Sequence, residues 1–231
     1  NASGRSPAAA TLEAFRRRGL DHVPARGMLP VTVPGAPAGW AALLERYGKL
    51  GLDTVLAPAI DYAREGFPVS ERISHNWQNS EDVLGRRAES ARVFLRDGKA
   101  PRPGELYRNP DLAQSLELLA QNGPDAFYRG ALAEAILATS EEMGGLLCAE
   151  DLAAHGGEWV NPISTVYRGH RVYECPPNGQ GIATLISLDV LSGFDLQDRG
   201  LSAADLAHLK IEAVKCGLVD AQKHVTDAER M

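Results

Sequence analysis

The sequence predicts an α/β protein to which these residues contribute mainly helices and a few strands. Three observations carry that expectation. Most of the chain places apolar side chains three and four residues apart, in stretches that end on glycine. One stretch, "ISTVYRGHRVYEC", instead has extended apolar pairs on both sides of a short polar turn. Hydrophobic residues make up 44% of the 231, enough to build a substantial core.

The elements follow in order. "PAAATLEAFRRRG" reads as a helix from Pro7 that ends on Gly19. "VTVPGAPAGWAALLERYGKL" starts extended, breaks at Pro34-Gly35 and becomes helical, with Trp40, Leu43, Leu44 and Tyr47 at helical spacing. In "LDTVLAPAIDYAREGF" Leu56, Ile60 and Ala63 share one face and Gly66 stops the helix. Ser70 is placed to cap the helix that begins "SERISHNW". Residues Arg96 to Asn109 read as a loop rich in Gly and Pro. "NPDLAQSLELLAQNG" and "GPDAFYRGALAEAILATSEEMGG" read as one helix each, opened by Pro and Asp and closed by Gly.

Val166, Tyr167, Val172 and Tyr173 predict a hairpin around Arg168-Gly169-His170, which puts His170 in the turn. Two further helices run from about Ile182 to Leu191 and from about Ala203 to Val225. The first should bury Leu185, Leu188, Val190 and Leu191, and the segment "SGFDL" after it should bury Phe194 and Leu196.

Composition removes whole classes of function. A formal net charge of −6 argues against a nucleic-acid partner, which calls for a basic excess. No run approaches the ~20 apolar residues that span a bilayer, so a membrane partner is not expected. No signal peptide opens the chain, and a cytoplasmic location is the expectation, with the periplasm or secretion as alternatives. The three cysteines, Cys148, Cys175 and Cys216, lack metal-ligand spacing and are too few and odd for a disulfide framework.

The stretch "CPPNGQGIATL" resembles a phosphate cradle at first sight. A phosphate loop needs a lysine followed by Ser or Thr, and prolines remove the backbone donors that hold the anion. Here the lysine is missing and Pro176 and Pro177 stand in the loop. The structural reading is therefore preferred: the prolines stiffen the exit from the hairpin, and Gly179 and Gly181 permit close backbone approach.

His208, Glu212 and Lys215 lie on one helix face, a pattern read as an ion-paired surface rather than a metal site. Asp189 and Asp195 read as caps or surface charges, and no Ser-His-Asp set stands out.

Several separated stretches, in order, also resemble the gamma-glutamyltransferase family. They are "VTVPGAPAGWAALLERYGKLGLDTVLAPAIDYAREGFPVS", "NGPDAFYRGALAEAI", "GGLLCAEDLAAH", "YRGHRVYECPPNGQGIATLISLDVLSGFDL" and "HLKIEAVKCGLVDAQKHVTD". The resemblance implies a four-layer αββα N-terminal nucleophile hydrolase in the complete protein. Residues 1–231 would be a large-subunit portion, without its N-terminal part and without a threonine-headed small subunit. Such proteins are precursors that cut themselves to expose the threonine. It serves as nucleophile with its own amino group as base, and an oxyanion hole stabilises the intermediate.

The expectation is thus an amide hydrolase or acyltransferase that uses no cofactor and no metal. Its partners would be the small subunit of the same precursor and a small-molecule amide or gamma-glutamyl substrate. No catalytic residue is assigned within these residues, and the chain by itself is expected to be inactive.

The resemblance also points to substrate-binding positions. Glutamyl-specific members carry an arginine four residues before the proline that matches Pro7, where it grips the substrate's α-carboxylate. Here that place holds Ser3, and the nearby arginine is Arg5. In an extended segment Arg5 leaves on the same face as Ser3. This pattern is closest to the oxamate amidohydrolase and acylase-like branch, so an amidohydrolase or acylase without glutamyl specificity is the alternative. A noncatalytic helical interaction module and a nucleotide-binding enzyme built on the Gly179 region complete the range of readings.

Overall fold

The structure, a computed structural model, describes residues 1–198 and 200–226. The chain divides into two compact units. One is Arg5–His155, and the other joins Asn1–Gly4 to the chain from Gly156 onward.

The Arg5–His155 unit opens with helix α1 (Leu12–Arg17). It begins later than Pro7 because Thr11 caps it, its side chain accepting from Ala14 N–H, while Pro7 to Ala10 form a turn. Gly19 follows with φ 72°, as a helix stop requires. Helix α2 (Ala36–Tyr47) has Pro37 in its first turn, where a missing N–H costs nothing. Helix α3 (Leu52–Glu65) buries Leu56, Ile60 and Ala63, the three residues that its periodicity selects. They form a core cluster with Ala113 and Leu119 of α7 (Pro110–Asn122).

Gly66 ends α3 at φ 95°, and a Cβ there would lie 2.9 Å from the carbonyl of Tyr107, so only glycine fits. The cause is a short antiparallel pair, β1 (Phe67–Pro68) with β2 (Leu106–Tyr107). The stretch read as an irregular loop therefore contains a strand at its end. Two residues are too short for an alternating pattern, so only the pairing reveals it.

Ser70 caps α4 (Glu71–Gln78) as expected, accepting from Ile73 N–H. Two short helices follow, α5 (Glu81–Leu84) and α6 (Ala88–Phe94). Asn109 caps α7, and Gly123 ends it at φ 69°.

The single helix expected from Pro124 onward is two, α8 (Asp125–Tyr128) and α9 (Ala131–Glu142). Gly130 takes an extended backbone between them, at φ −103° and ψ −157°, and a Cβ there would press on Ala126 at 3.0 Å. The break lets Tyr128 and Ala133 enter a second cluster with Val33, Leu147 and Leu152, the last from α10 (Ala149–Ala153).

In the other unit β3 (Ile163–Tyr167) pairs antiparallel with β4 (His170–Glu174). Arg168 at φ 50° and Gly169 at φ 81° form the two-residue turn, both in the left-handed region that such hairpins favour. His170 is not in the turn: it opens β4 opposite Tyr167. Gly181 permits the close approach expected of it, since a Cβ there would meet Glu174 Cβ at 2.9 Å, whereas Gly179 faces open space.

Helix α11 (Gly181–Ser192) packs on α12 (Ala203–His224). It buries Ala183, Leu185, Ser187 and Leu191, while Leu188 and Val190 are half-buried. Phe194 is exposed and Leu196 half-buried, contrary to expectation. Gly217 of α12 sits against Ala183 and Ser187, so two small residues of α11 face its neighbour at the close approach, and Leu185 and Leu191 are buried as well.

Candidate functional site

Residues 1–7, which hold both predicted substrate contacts, lie outside any helix or strand. Ser3 is exposed, and its N–H donates to Asn1 Oδ1 at 3.0 Å. Asn1 is held by its amino group donating to the Glu158 carbonyl and by its own carbonyl accepting from Glu158 N–H, both at 2.8 Å. Arg5 belongs to the other unit. Its side chain is exposed while its carbonyl accepts from Val33 N–H at 3.0 Å. Pro7 is buried, and Ala8 N–H donates to Asp151 Oδ1 at 2.8 Å.

Around Arg5 the fold gathers residues that the sequence did not single out. The hydroxyl of Tyr128 donates to the Pro34 carbonyl at 2.7 Å and accepts from Ala38 N–H at 3.2 Å. Its ring lies 5.1 Å from that of His155, tilted 34°. Burial, together with the positive charge of Arg5, holds the His155 imidazole below its ordinary value, so the ring is neutral at pH 7. The atom Nε2 of His155 is shielded and has no hydrogen-bond partner among the described residues.

Asp151 is the second anchor. Burial opposes its charge, but donors from Ala8 N–H, the Cys148 thiol and Cys148 N–H outweigh it and hold the carboxyl below its usual range. This is a capping box at the start of α10, with Asp151 accepting from Cys148 N–H at 3.0 Å and from the thiol at 3.1 Å. The thiol's pKa is raised on balance: the backbone hydrogen bond at Asp151 lowers it, but the bond to the carboxylate and partial burial raise it more. A protonated thiol is a poor nucleophile.

Glu212, Lys215, Asp189 and Asp195 belong to the other unit. Lys215 Nζ donates to Glu212 Oε1 at 2.8 Å, an ion pair on the surface of α12. Asp189 accepts from the Thr165 hydroxyl and ties α11 to β3, and Asp195 Oδ1 accepts from Gln197 N–H. The three cysteines are free and exposed. Among the described residues no group of three or more His, Cys, Asp or Glu is gathered to hold a metal, and no helix is long and apolar enough to cross a membrane.

The family model described as Gamma-glutamyltranspeptidase matches residues 1–231. The chain belongs to the gamma-glutamyltranspeptidase family. It is 39% identical over 228 residues to the "Glutathione hydrolase-like YwrD proenzyme" of Bacillus subtilis, covering 98% of this chain and 43% of that protein. It is 32% identical to the "Oxamate amidohydrolase proenzyme" of Klebsiella pneumoniae, covering 100% of this chain and 44% of that protein. The crystal structure of cephalosporin acylase from Bacillus halodurans superposes with a TM-score of 0.92 at 42% identity, covering 99% of this chain and 44% of that one. The chain therefore spans less than half the length of these relatives.

Of the residues around Arg5, Asp151 had a signal in the sequence: it stands three residues after Cys148, the spacing of a capping box. Tyr128 and His155 had none. Their ring contact bridges 27 positions, and nothing in local periodicity points to it.

Proposed function

We propose that these residues are the large-subunit part of an amide hydrolase or acyltransferase, produced as a self-cleaving precursor with the four-layer αββα fold. In this reading the threonine nucleophile comes from a segment outside residues 1–231, its own amino group acts as base, and the two subunits of one precursor build the site. The observation that carries the proposal is similarity over nearly the whole chain to relatives named as proenzymes.

Within that activity Arg5 reads a carboxylate on the substrate. Arginine suits the task because its planar donors match a carboxylate's two oxygens. Its carbonyl is fixed to Val33, so the residue is anchored by its backbone while its side chain is exposed. The second substrate-binding position is Ser3, which is exposed and carries no charge.

A serine hydroxyl cannot replace the guanidinium that grips a glutamyl α-carboxylate. The position of Arg5 therefore favours a short carboxylate-bearing amide, such as oxamate, over a gamma-glutamyl donor. Similarity to an oxamate amidohydrolase proenzyme over the full chain supports this narrower reading.

The test is kcat/KM of the full-length enzyme for oxamate and for a gamma-glutamyl donor, in wild type and Arg5→Ala. Wild type should prefer oxamate. Arg5→Ala should lose roughly 1.5–3 kcal/mol of transition-state stabilisation, the range for a hydrogen bond to a charged group. A preference for the gamma-glutamyl donor defeats the specificity reading, and an unaffected Arg5→Ala enzyme defeats the assignment of Arg5.

A further inference from the structure

In the stretch "CPPNGQGIATL" the pair Asn178-Gly179 serves neither the packing of α11 nor the proposed activity. An asparagine followed by glycine is chemically reactive toward itself. The glycine amide nitrogen can attack the asparagine side-chain carbon, because the glycine has no Cβ to block the approach and its backbone turns freely. The chain has two such pairs, Asn122-Gly123 and Asn178-Gly179, and the fold treats them differently.

Asn122 is the last residue of α7. Its Nδ2 donates to the Leu118 carbonyl at 3.1 Å, and Gly123 N–H donates to the Leu119 carbonyl at 2.9 Å. Both reacting groups are tied to the preceding turn of the helix. Attack there requires two hydrogen bonds to break and the helix end to unwind.

Asn178 stands in the turn between β4, which ends at Glu174, and α11, which opens at Gly181. Asn178 and Gly179 are both exposed, and nothing lies within 4 Å of the place a Gly179 Cβ would take. Among the described residues no hydrogen bond holds the Asn178 side chain or the Gly179 N–H. The nitrogen can therefore swing toward the side-chain carbon without breaking a contact, and water has access to the product.

We propose that the fold leaves Asn178-Gly179 as a site of spontaneous covalent modification while it protects Asn122-Gly123. The Gly179 nitrogen forms a bond to Asn178 Cγ, and the bond from Cγ to Nδ2 breaks. The side-chain nitrogen leaves as ammonia with the proton that the Gly179 nitrogen gives up. Water then opens the cyclic imide at either carbonyl. One opening gives aspartate at position 178. The other gives isoaspartate, whose main chain runs through the side-chain carbon and is longer by one methylene. Nothing is oxidised or reduced, and water is the one reagent consumed. Each product carries a negative charge at pH 7. Isoaspartate also lengthens the link to α11 close to Gly181, where a Cβ would already lie 2.9 Å from Glu174 Cβ.

The experiment holds the full-length enzyme folded in mildly alkaline and mildly acidic buffer, digests it at acidic pH and maps the peptides by chromatography and mass spectrometry. The Asn178 peptide should gain the mass of an NH-to-O exchange, separate into aspartyl and isoaspartyl isomers, and convert several-fold faster in alkali, where the attacking nitrogen loses its proton more readily. The Asn122 peptide should convert several-fold more slowly than the Asn178 peptide. That gap should narrow when the chain is unfolded in denaturant. Gly179→Ala, whose Cβ enters open space, should slow the conversion several-fold. An Asn178 that stays unmodified, converts no faster than Asn122 or yields aspartate alone overturns the inference. A gap just as wide in denaturant overturns it too, since the fold would then protect nothing. The wild-type measurements decide the matter without any variant, and none of them depends on the activity or on how substrate is bound.

Discussion

His155 gives the molecule a pH signature in stability. Its folded-state pKa is depressed, first by burial and then by Arg5. The unfolded chain therefore binds a proton at a pH where the folded chain does not. Stability from this group is fully present above the unfolded value of about 6.5 and is lost as pH falls through the lower folded value. Thermal unfolding between roughly pH 7.5 and pH 5 should show this loss in wild type, with a shallower dependence in His155→Gln. Equal slopes for the two proteins would show that the ring is not protected from protonation. Gly66 shows a different kind of constraint: a φ of 95° and a neighbouring carbonyl leave no room for a side chain, and this fixes where α3 gives way to β1.

At the scale of elements, the α11–α12 pair rests on close approach. Gly217 lies inside a helix, where alanine would ordinarily gain up to about 1 kcal/mol of helix propensity. Here a Cβ would run into the Ala183 carbonyl and Ser187 Oγ, and a backbone carbonyl cannot step aside as the end of a flexible side chain can. Overpacking of this kind costs about 1–3 kcal/mol, so it outweighs the propensity gain. Gly217→Ala should be net destabilising in chemical denaturation, and a stabilised variant would show that the helices pack more loosely.

The start of α12 has a separate device. Ser202 and Asp205 form a capping box, with Ser202 N–H donating to Asp205 at 2.9 Å and Asp205 N–H donating to Ser202 at 3.2 Å. Ser202→Ala should cost about 1 kcal/mol, measurable by the same denaturation midpoint. The bonds to Ser202 hold the Asp205 carboxyl below its ordinary value. Its contribution is therefore present above that ordinary value and fades as pH falls through the lowered one.

At the scale of the whole molecule, each unit carries apolar side chains in water. In the Arg5–His155 unit the face of α2 expected to pack is largely uncovered: Trp40 is 43% exposed, Leu43 55% and Tyr47 66%. In the other unit Ile211, Val214 and Leu218 form an exposed stripe along α12, while Ala213, Gly217 and Ala221 of the same helix are buried. Exposed apolar faces of this kind mark surfaces that associate. The isolated 231-residue chain should therefore bind a hydrophobic dye and form associated species in light scattering. A monodisperse monomer with no dye binding and one sharp thermal transition would count against this expectation.

Local rules by themselves determined most of the helices. Period, cap and stop lie within a few residues of one another, so Leu56, Ile60 and Ala63 of α3, Ser70 before α4 and Gly123 after α7 were legible without any partner in view. The hairpin was legible too, because a two-residue turn flanked by apolar pairs is a local pattern, although the strand began one residue earlier than expected, at His170. The assignment of Ser3 and Arg5 to substrate is a proposal that rests on resemblance rather than spacing.

The tertiary structure decided what depends on partners distant in the chain. The two-residue strands β1 and β2 exist only because Phe67 meets Tyr107. The close approach of α11 and α12 was decided by Gly217, which admits Ala183 and Ser187. Tyr128 and His155 join the surroundings of Arg5 only when Val33, Pro34 and Leu152 bring them there. The physical reason is the same in each case. Backbone hydrogen bonding and capping act over a single turn, whereas side-chain packing and electrostatics act through space, and the sequence does not record which distant surfaces will meet.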